Sequence, residues 1–264
     1  MTWLLGYLAL GVVAGFFAGL LGVGGGAIMV PVLALMFAAQ GFSGEHLMHL
    51  ALGTSMAAIV FTSISSLRAH HGHGAVRWPI VKTIAPGILI GTFAGAQLAS
   101  LIPTRPLAIF FTVFMSYVAF QMLANIKPKP ARQLPGTVGM FVVGSGIGAI
   151  SALVAIGGGS LSVPFMTWCN VKMHDAIGTS AAIGLPIAVA GTAGYLTSGL
   201  GAGGLPAGSF GYVYLPALAA CVVTSMLAAP FGAKAAHRLP VATLKKIFAG
   251  VILLLLAKMV HGLF

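Results

Sequence analysis

Apolar runs of about twenty residues recur along the whole of this 264-residue chain, and a run of that length covers the hydrocarbon core of a bilayer. Lipid offers the backbone no hydrogen-bond partner, so each run must pair its own N–H and C=O groups, as a helix does. A β-barrel would need short segments of alternating polarity, and the sequence has none. Composition agrees, with 59% hydrophobic and 6% charged residues, where a soluble domain carries about 25% charged. The expected fold class is an all-α polytopic membrane protein whose surroundings are the lipid bilayer.

Glu45 and Asp175 are the only carboxylate side chains, against 13 Lys and Arg, for a net charge of +11. The basic excess is expected to anchor cytoplasmic loops by the positive-inside rule. Nucleic acid is not an expected partner, since no basic stripe is interleaved with aromatics. Cys169 and Cys221 are far apart and lack CxxC spacing, so each reads as a small packed hydrophobe. The first apolar run starts at Trp3 without a basic flank or an A-x-A site, and reads as a retained helix.

The segment Asn125–Gly136, with its run KPKPARQLPG, is a poor span and a good surface linker. It divides one transmembrane domain, residues 1–264, into repeats of about 3–124 and 137–264. Three motifs recur in the same order. Gly24-Gly25-Gly26 with Pro31 matches Gly157-Gly158-Gly159 with Pro164. His49 before Gly53-Thr54-Ser55 matches His174 before Gly178-Thr179-Ser180. Ile102-Pro103 matches Leu239-Pro240. This order predicts two homologous halves.

The expected spans of the first half are Trp3–Leu21, Ala27–Ala38, Leu47–Leu67, Pro79–Leu101 and Pro106–Leu123. Those of the second are Val138–Ile156, Ser160–Trp168, Ala176–Thr197, Tyr212–Pro230 and Val241–Leu263. Ser160–Trp168 covers roughly 14 Å, half a bilayer. Eight segments result if each glycine-interrupted stretch counts once, and the basic residues then divide almost evenly between the faces. Ten result if the chain turns back at each glycine run, and then only Arg105 and Lys258 leave the basic face. The second arrangement satisfies the positive-inside rule and makes the halves an inverted repeat, with short or re-entrant helices after the glycine runs.

Glycine permits sharp reversal and exposes backbone N–H groups. The runs Gly22–Gly26 and Ile156–Ser160 each precede an apolar helical stretch, whose free N–H groups and positive dipole end can hold an anion. Candidate donors are Gly25, Gly26, Ala27, Gly158, Gly159 and Ser160. Close helix packing is the competing explanation. No strand precedes the runs and no Lys-Ser/Thr ends them, which excludes dinucleotide and P-loop readings. Thr54, Ser55, Thr179 and Ser180 add hydroxyl donors, with back-bonding to the helix or interhelical bonding as the alternative.

The stretches GVGGGAIMVP and AIGGGSLSVP, the two GTS segments and the duplicated layout resemble the sulfite exporter TauE/SafE family of membrane permeases, over nearly the whole chain. The resemblance implies outward movement of sulfite or sulfur-containing organic anions such as sulfonates, across a bacterial-type plasma (inner) membrane.

No span carries a charge at its centre; Lys82 and Lys258 lie near ends and can snorkel. Glu45, His46 and His49 read as one loop cluster and His174-Asp175 as its partner on the other face. Glu45, His49, His174 and Asp175 are candidate gate or proton sites, with plain loop solvation as the alternative. Gln97 and Gln121 are expected to bond between helices. His70, His71 and His73 lack carboxylate support for a metal. No catalytic residue, metal or cofactor is expected, because the spans hold no nucleophile–base pair or metal cluster. A small anion is the expected substrate, and a homo-oligomer is compatible with the pattern. The competing classes are a coupled importer of another anion and a non-transporting assembly or sensor subunit.

Overall fold

The computed structural model describes residues 2–21, 25–124, 131–238 and 241–263. Gly22, Val23 and Gly24 of the first glycine run, residues 125–130 of the linker and the Leu239-Pro240 pair lie outside the described residues. The described residues form ten helices. Those of the first half are α1 (Thr2–Leu21), α2 (Gly26–Ala39), α3 (Leu47–Gly72), α4 (Trp78–Ser100) and α5 (Thr104–Leu123). Those of the second are α6 (Thr137–Val154), α7 (Gly159–Trp168), α8 (Met173–Gly199), α9 (Leu215–Arg238) and α10 (Val241–Leu263). Seven of them, α1, α3, α4, α5, α6, α8 and α9, are long and apolar enough to cross a membrane. The protein is an all-α polytopic membrane protein, as its apolar runs require.

Each expected span is found as a helix. The largest boundary difference is at α9, expected as Tyr212–Pro230 and found as Leu215–Arg238. A short hairpin, β1 (Ser209–Phe210) paired with β2 (Val213–Tyr214), takes the first of the expected residues, turning at Gly211 with φ 54°. Pro230 ends the expected span, yet α9 runs through it, and Pro31, Pro86, Pro164 and Pro186 also lie inside helices. Neighbouring helices make proline tolerable there.

Residue contacts give the direction of each helix. At one face of the bundle, Thr104 Oγ1 donates to the Glu45 carbonyl at 2.5 Å and the His49 and Tyr212 rings stack at 5.0 Å. At the other, Arg77 meets Asp175, and the Ala131 and Arg132 amides donate to the Trp168 carbonyl at 3.1 and 3.2 Å. Gln40 Nε2 at the end of α2 donates to the Tyr7 hydroxyl near the start of α1, so α1 and α2 are antiparallel. Trp168 at the end of α7 lies beside the approach to α6, so that pair is antiparallel too. The chain therefore turns back at each glycine run. α1 starts from the first face, and α6 starts from the second.

Small residues set the closest packing. A Cβ on Gly87, Gly91 or Gly95 of α4 would run into the backbone of Phe141, Ser145 or Ala149 of α6, in matching order, so these helices are parallel neighbours. On the other side of the bundle Gly11 and Gly15 of α1 press on the backbone of Cys221 and Ser225 of α9, and Gly232 of α9 presses on Phe16. In lipid, such backbone approach supplies the van der Waals contact that holds helices together. α3 and α8 form the buried centre. Val113 and Phe120 of α5, Val142 of α6 and Leu227 of α9 point outward, as lipid-facing side chains do. The principal neighbours are α1 with α9, α6 with α4, α3 with α8, α5 with α10, and α4 with α8 beside α9 with α3. Exchanging each helix for its counterpart in the other half returns this same set.

Candidate functional site

Gly25 and Gly158 make the two reversals in the left-handed region, with φ of 77° and 83°. A side chain in that conformation costs about 1–2 kcal/mol. The Gly25 carbonyl accepts the Ile28 and Met29 amides at 3.1 Å each. The Gly158 carbonyl accepts the Leu161 and Ser162 amides at 3.1 and 2.7 Å, and the Ser162 hydroxyl at 2.8 Å. The amides of Gly26 and Ala27, and of Gly159 and Ser160, precede the first intrahelical bonds, and no side chain caps either helix. Gly25, Gly26, Ala27, Gly158, Gly159 and Ser160 are all buried. α2 reaches about 21 Å from its own face and α7 about 15 Å from the opposite one, so both starts lie inside the bundle.

The breaks touch. A Cβ on Gly26 would overlap the carbonyl oxygen of Ala155, which ends α6 in the left-handed region at φ 46°. A Cβ on Gly184 of α8 would sit 2.8 Å from the Gly157 carbonyl and 3.1 Å from Ser63 Oγ of α3. Part of the demand for glycine is thus close packing and part is backbone conformation.

The two GTS segments divide their labour. Gly53 admits the Tyr212 carbonyl and Gly178 admits Ala75, and a Cβ on either would collide. One residue on, Thr54 Oγ1 accepts the Tyr214 amide at 2.9 Å, and Thr179 Oγ1 accepts the Arg77 amide at 3.0 Å. Tyr214 precedes α9 and Arg77 precedes α4. Each glycine–threonine pair thus docks the start of a helix from the other half. Ser55 and Ser180 are fully buried, and neither hydroxyl has a hydrogen-bond partner. Ser160 Oγ, at the start of α7, is buried without a partner as well. Ser55 stands one turn before Ile59, which touches Gly26, and Ser180 one turn before Gly184, which touches Gly157. The serines therefore lie on the helix faces turned toward the two breaks.

The four expected gate residues fall two to each face, Glu45 with His49 and His174 with Asp175. Glu45 is exposed, but His49 is not on the loop: α3 begins at Leu47, driven by the apolar Leu47, Met48 and Leu50, and carries His49 into its buried first turn. His49 Nε2 lies 3.2 Å from the Ala99 carbonyl and 3.0 Å from that of Ile102, so this nitrogen bears the proton, and Nδ1 is buried without a partner. Glu45, His46, His49 and Arg105 line an open cleft of about 410 Å³ on that face. Beside it, burial raises the Tyr212 phenol above its ordinary range, and Glu45 adds to the effect. On the opposite face His174 is exposed, while Asp175 accepts from Arg77 Nη2 at 2.6 Å and Nε at 2.9 Å. Gln97 Nε2 donates to Thr197 Oγ1 at 2.7 Å, an interhelical bond.

Among the described residues no Lys, Arg, Asp or Glu is buried, and no group of three His, Cys, Asp or Glu could hold a metal. Sequence reasoning missed Ser66, Thr92 and Ser151, whose buried hydroxyls also lack partners. Ser151 stands directly before the second break, where its carbonyl accepts the Ala155 and Ile156 amides. For Ser151 the available signal was a hydroxyl in an apolar span shortly ahead of a glycine run.

The family profile described as sulfite exporter TauE/SafE matches residues 7–259. The chain is 36% identical to a probable membrane transporter protein of Haemophilus influenzae, over 94% of each chain. It is 28% identical to the probable membrane transporter protein YdhB of Bacillus subtilis, over 89% of this chain and 90% of that one. A probable membrane transporter protein of Xylella fastidiosa is 31% identical over 71% of this chain and 70% of its own. No solved structure matches.

Proposed function

The chain belongs to the sulfite exporter TauE/SafE family, and from that premise we propose that it is a secondary transporter that exports a small anion, sulfite or a sulfonate, across a bacterial plasma membrane. One observation carries the reading: the start of α2 lies against the second break at Ala155 inside the bundle, and the buried hydroxyls of Ser55, Ser160 and Ser180 near the two breaks have no partner. Orphan amides and hydroxyls are donors, and a group that accepts from several of them at once is an anion. Weak, many-point binding also suits a protein that must release what it binds. The halves act as an inverted repeat, each supplying one helix start, one GTS serine and one face of the path. The opposed starts of α1 and α6 support this arrangement.

An inside-negative potential drives a monovalent anion outward by about 2.3 kcal/mol per 100 mV, so export needs no coupling ion. The chain performs no chemistry on its cargo in this reading. The test is a panel of sulfite, sulfoacetate, taurine, sulfate and carboxylates, scored by thermal stabilisation of the purified protein and by flux in proteoliposomes under a set potential. Stabilisation and potential-driven flux with sulfite or a sulfonate are expected. Binding without flux would replace the transporter with a sensor, and flux only with an opposing ion gradient would replace the exporter with a coupled importer.

A further inference from the structure

The two halves act as each other's control. Aligned on Gly24-Gly25-Gly26 and Gly157-Gly158-Gly159, Ala18, Ala27 and Met29 of the first half stand where the second has Ser151, Ser160 and Ser162. From Ala14 to Pro31 the first half carries no hydroxyl, carboxamide or charged side chain. We infer that the two breaks are unequal: the anion is held at the second, by the hydroxyls of Ser151 and Ser160 with Ser63 and Ser180 beside them, and the first break supplies the packing surface against it. The inference rests on the transporter reading and locates its site.

Ser151 stands in the last turn of α6 and Ser160 in the first turn of α7, with only residues 155–158 between the helices. Ser151 is 0% and Ser160 9% exposed, and neither hydroxyl has a partner in the protein. A hydroxyl taken out of water without a partner weakens a fold. Ala18 and Ala27 are buried at the matching places, so the architecture accepts a methyl group at both. The second half therefore carries two hydroxyls that its fold does not require. Ser162 differs: its hydroxyl donates to the Gly158 carbonyl at 2.8 Å and helps to close the turn.

The surroundings of the breaks differ in the same sense. A Cβ on Gly25 would meet the Ala14 carbonyl and the Ala18 methyl, and one on Gly26 would meet the Ala155 carbonyl and Ile59. Carbonyl oxygens repel an anion, and apolar groups offer it no donor. At the second break Ser63 Oγ of α3 lies 3.1 Å from the point where a Cβ on Gly184 would stand, and the Gly157 carbonyl borders the same point. Ser180 precedes Gly184 by one turn on the same side of α8, and its buried hydroxyl has no partner. The counterpart of Ser63 in the second half is Ala188, so this donor too is present once. Ser55, one turn before Ile59, approaches the seam where Gly26 meets Ala155 of the second break. The α6–α7 connection, α8 and α3 thus all bring hydroxyls to the second break. A hydroxyl rotates its proton toward an anion and needs no buried cation to do so.

The experiment measures binding of sulfite and methanesulfonate to the purified full chain by calorimetry, with melting temperature read on the same samples. Ser151→Ala and Ser160→Ala, which give the second half the residues of the first, should each weaken both anions about three- to tenfold. Their melting temperatures without ligand should hold or rise slightly. Ser162→Ala removes a hydroxyl that is already bonded, so it should lower the melting temperature and leave affinity within about twofold. Ala18→Ser adds a hydroxyl at the first break and should not raise affinity. Ser160→Cys keeps the packing but is a weak donor, and should lose affinity even if the alanine variant fails to fold. Unchanged affinity in both Ser151→Ala and Ser160→Cys, or tighter binding in Ala18→Ser, would overturn the assignment and leave the transporter intact. Wild-type protein that neither binds nor moves either anion would overturn the transporter reading, and this inference with it.

Discussion

The backbone amide of Tyr214 donates to the hydroxyl of Thr54 at 2.9 Å, joining residues 160 apart in sequence. Its counterpart, the Arg77 amide on Thr179, repeats the arrangement on the opposite face. Removing either hydroxyl leaves an amide at a helix start without its acceptor. Thr54→Val and Thr179→Val should each destabilise the protein by about 1–3 kcal/mol, read as a lower melting temperature in detergent. Serine at either position should retain most of the stability. Affinity for the transported anion should be unchanged in variants that remain monodisperse.

Ser55→Ala and Ser180→Ala should behave in the opposite way. Each removes a buried hydroxyl that bonds nothing in the protein, so stability without ligand should hold or rise slightly. If the hydroxyls serve the anion, each loss should cost about 0.5–1.5 kcal/mol of binding, and flux at low substrate should drop accordingly. Unchanged affinity in both variants, measured by ligand-induced thermal shift, would place the anion elsewhere.

Gly25→Ala and Gly158→Ala should both lower the melting temperature without ligand. The left-handed backbone alone costs about 1–2 kcal/mol with a Cβ in place. The surroundings differ: the new Cβ at position 25 lies 2.9 Å from the fixed Ala14 carbonyl, and that at 158 lies 2.7 Å from the Ile187 Cδ1, the end of a movable side chain. Gly158→Ala should therefore be the milder of the two. Gly26→Ala should be the most damaging, since the Ala155 carbonyl already occupies the space.

Sidedness can be read with single cysteines at exposed loop positions, because native Cys169 and Cys221 are both buried. Cysteines replacing Gly74 and Lys172 should be labelled from the cytoplasmic side. Those replacing Gly44 and Gly203 should be labelled from outside by a membrane-impermeant maleimide. The contact between Arg77 and Asp175 requires the first pair to share a face, as the stacking of His49 on Tyr212 requires of the second. Opposite labelling within either pair would contradict the helix directions.

Much of this architecture was legible in the chain. Apolar length located the helices, because lipid leaves the backbone one economical solution. The glycine runs announced the reversals, since Gly25 and Gly158 need a backbone that other residues resist. The division of the GTS segments was not legible. Thr54 and Ser55 are adjacent hydroxyls of similar chemistry, and what separates them is a partner 160 residues away. The loop reading of His49 runs against the span expected from Leu47, and the structure sides with the span, since His49 lies in the buried first turn of α3. Nor did local spacing reveal that α1 would lie along α9, since that pairing depends on two small-residue faces from opposite halves.

The exchange of partners between halves sets a timetable for biosynthesis. α1 finds its close neighbour only when α9 has been made, and the Thr54 hydroxyl receives its amide only when Tyr214 emerges. At about 5–20 residues per second, that wait lasts roughly 10–30 s. Throughout it the first five helices sit in the bilayer with the glycine-lined face of α1 and the cap at Thr54 unfilled. A nascent chain in that state offers a surface shaped for α9, and any helix of similar small-residue pattern can occupy it. Slowing translation between α5 and α9 should therefore lower the yield of assembled protein without changing its final stability.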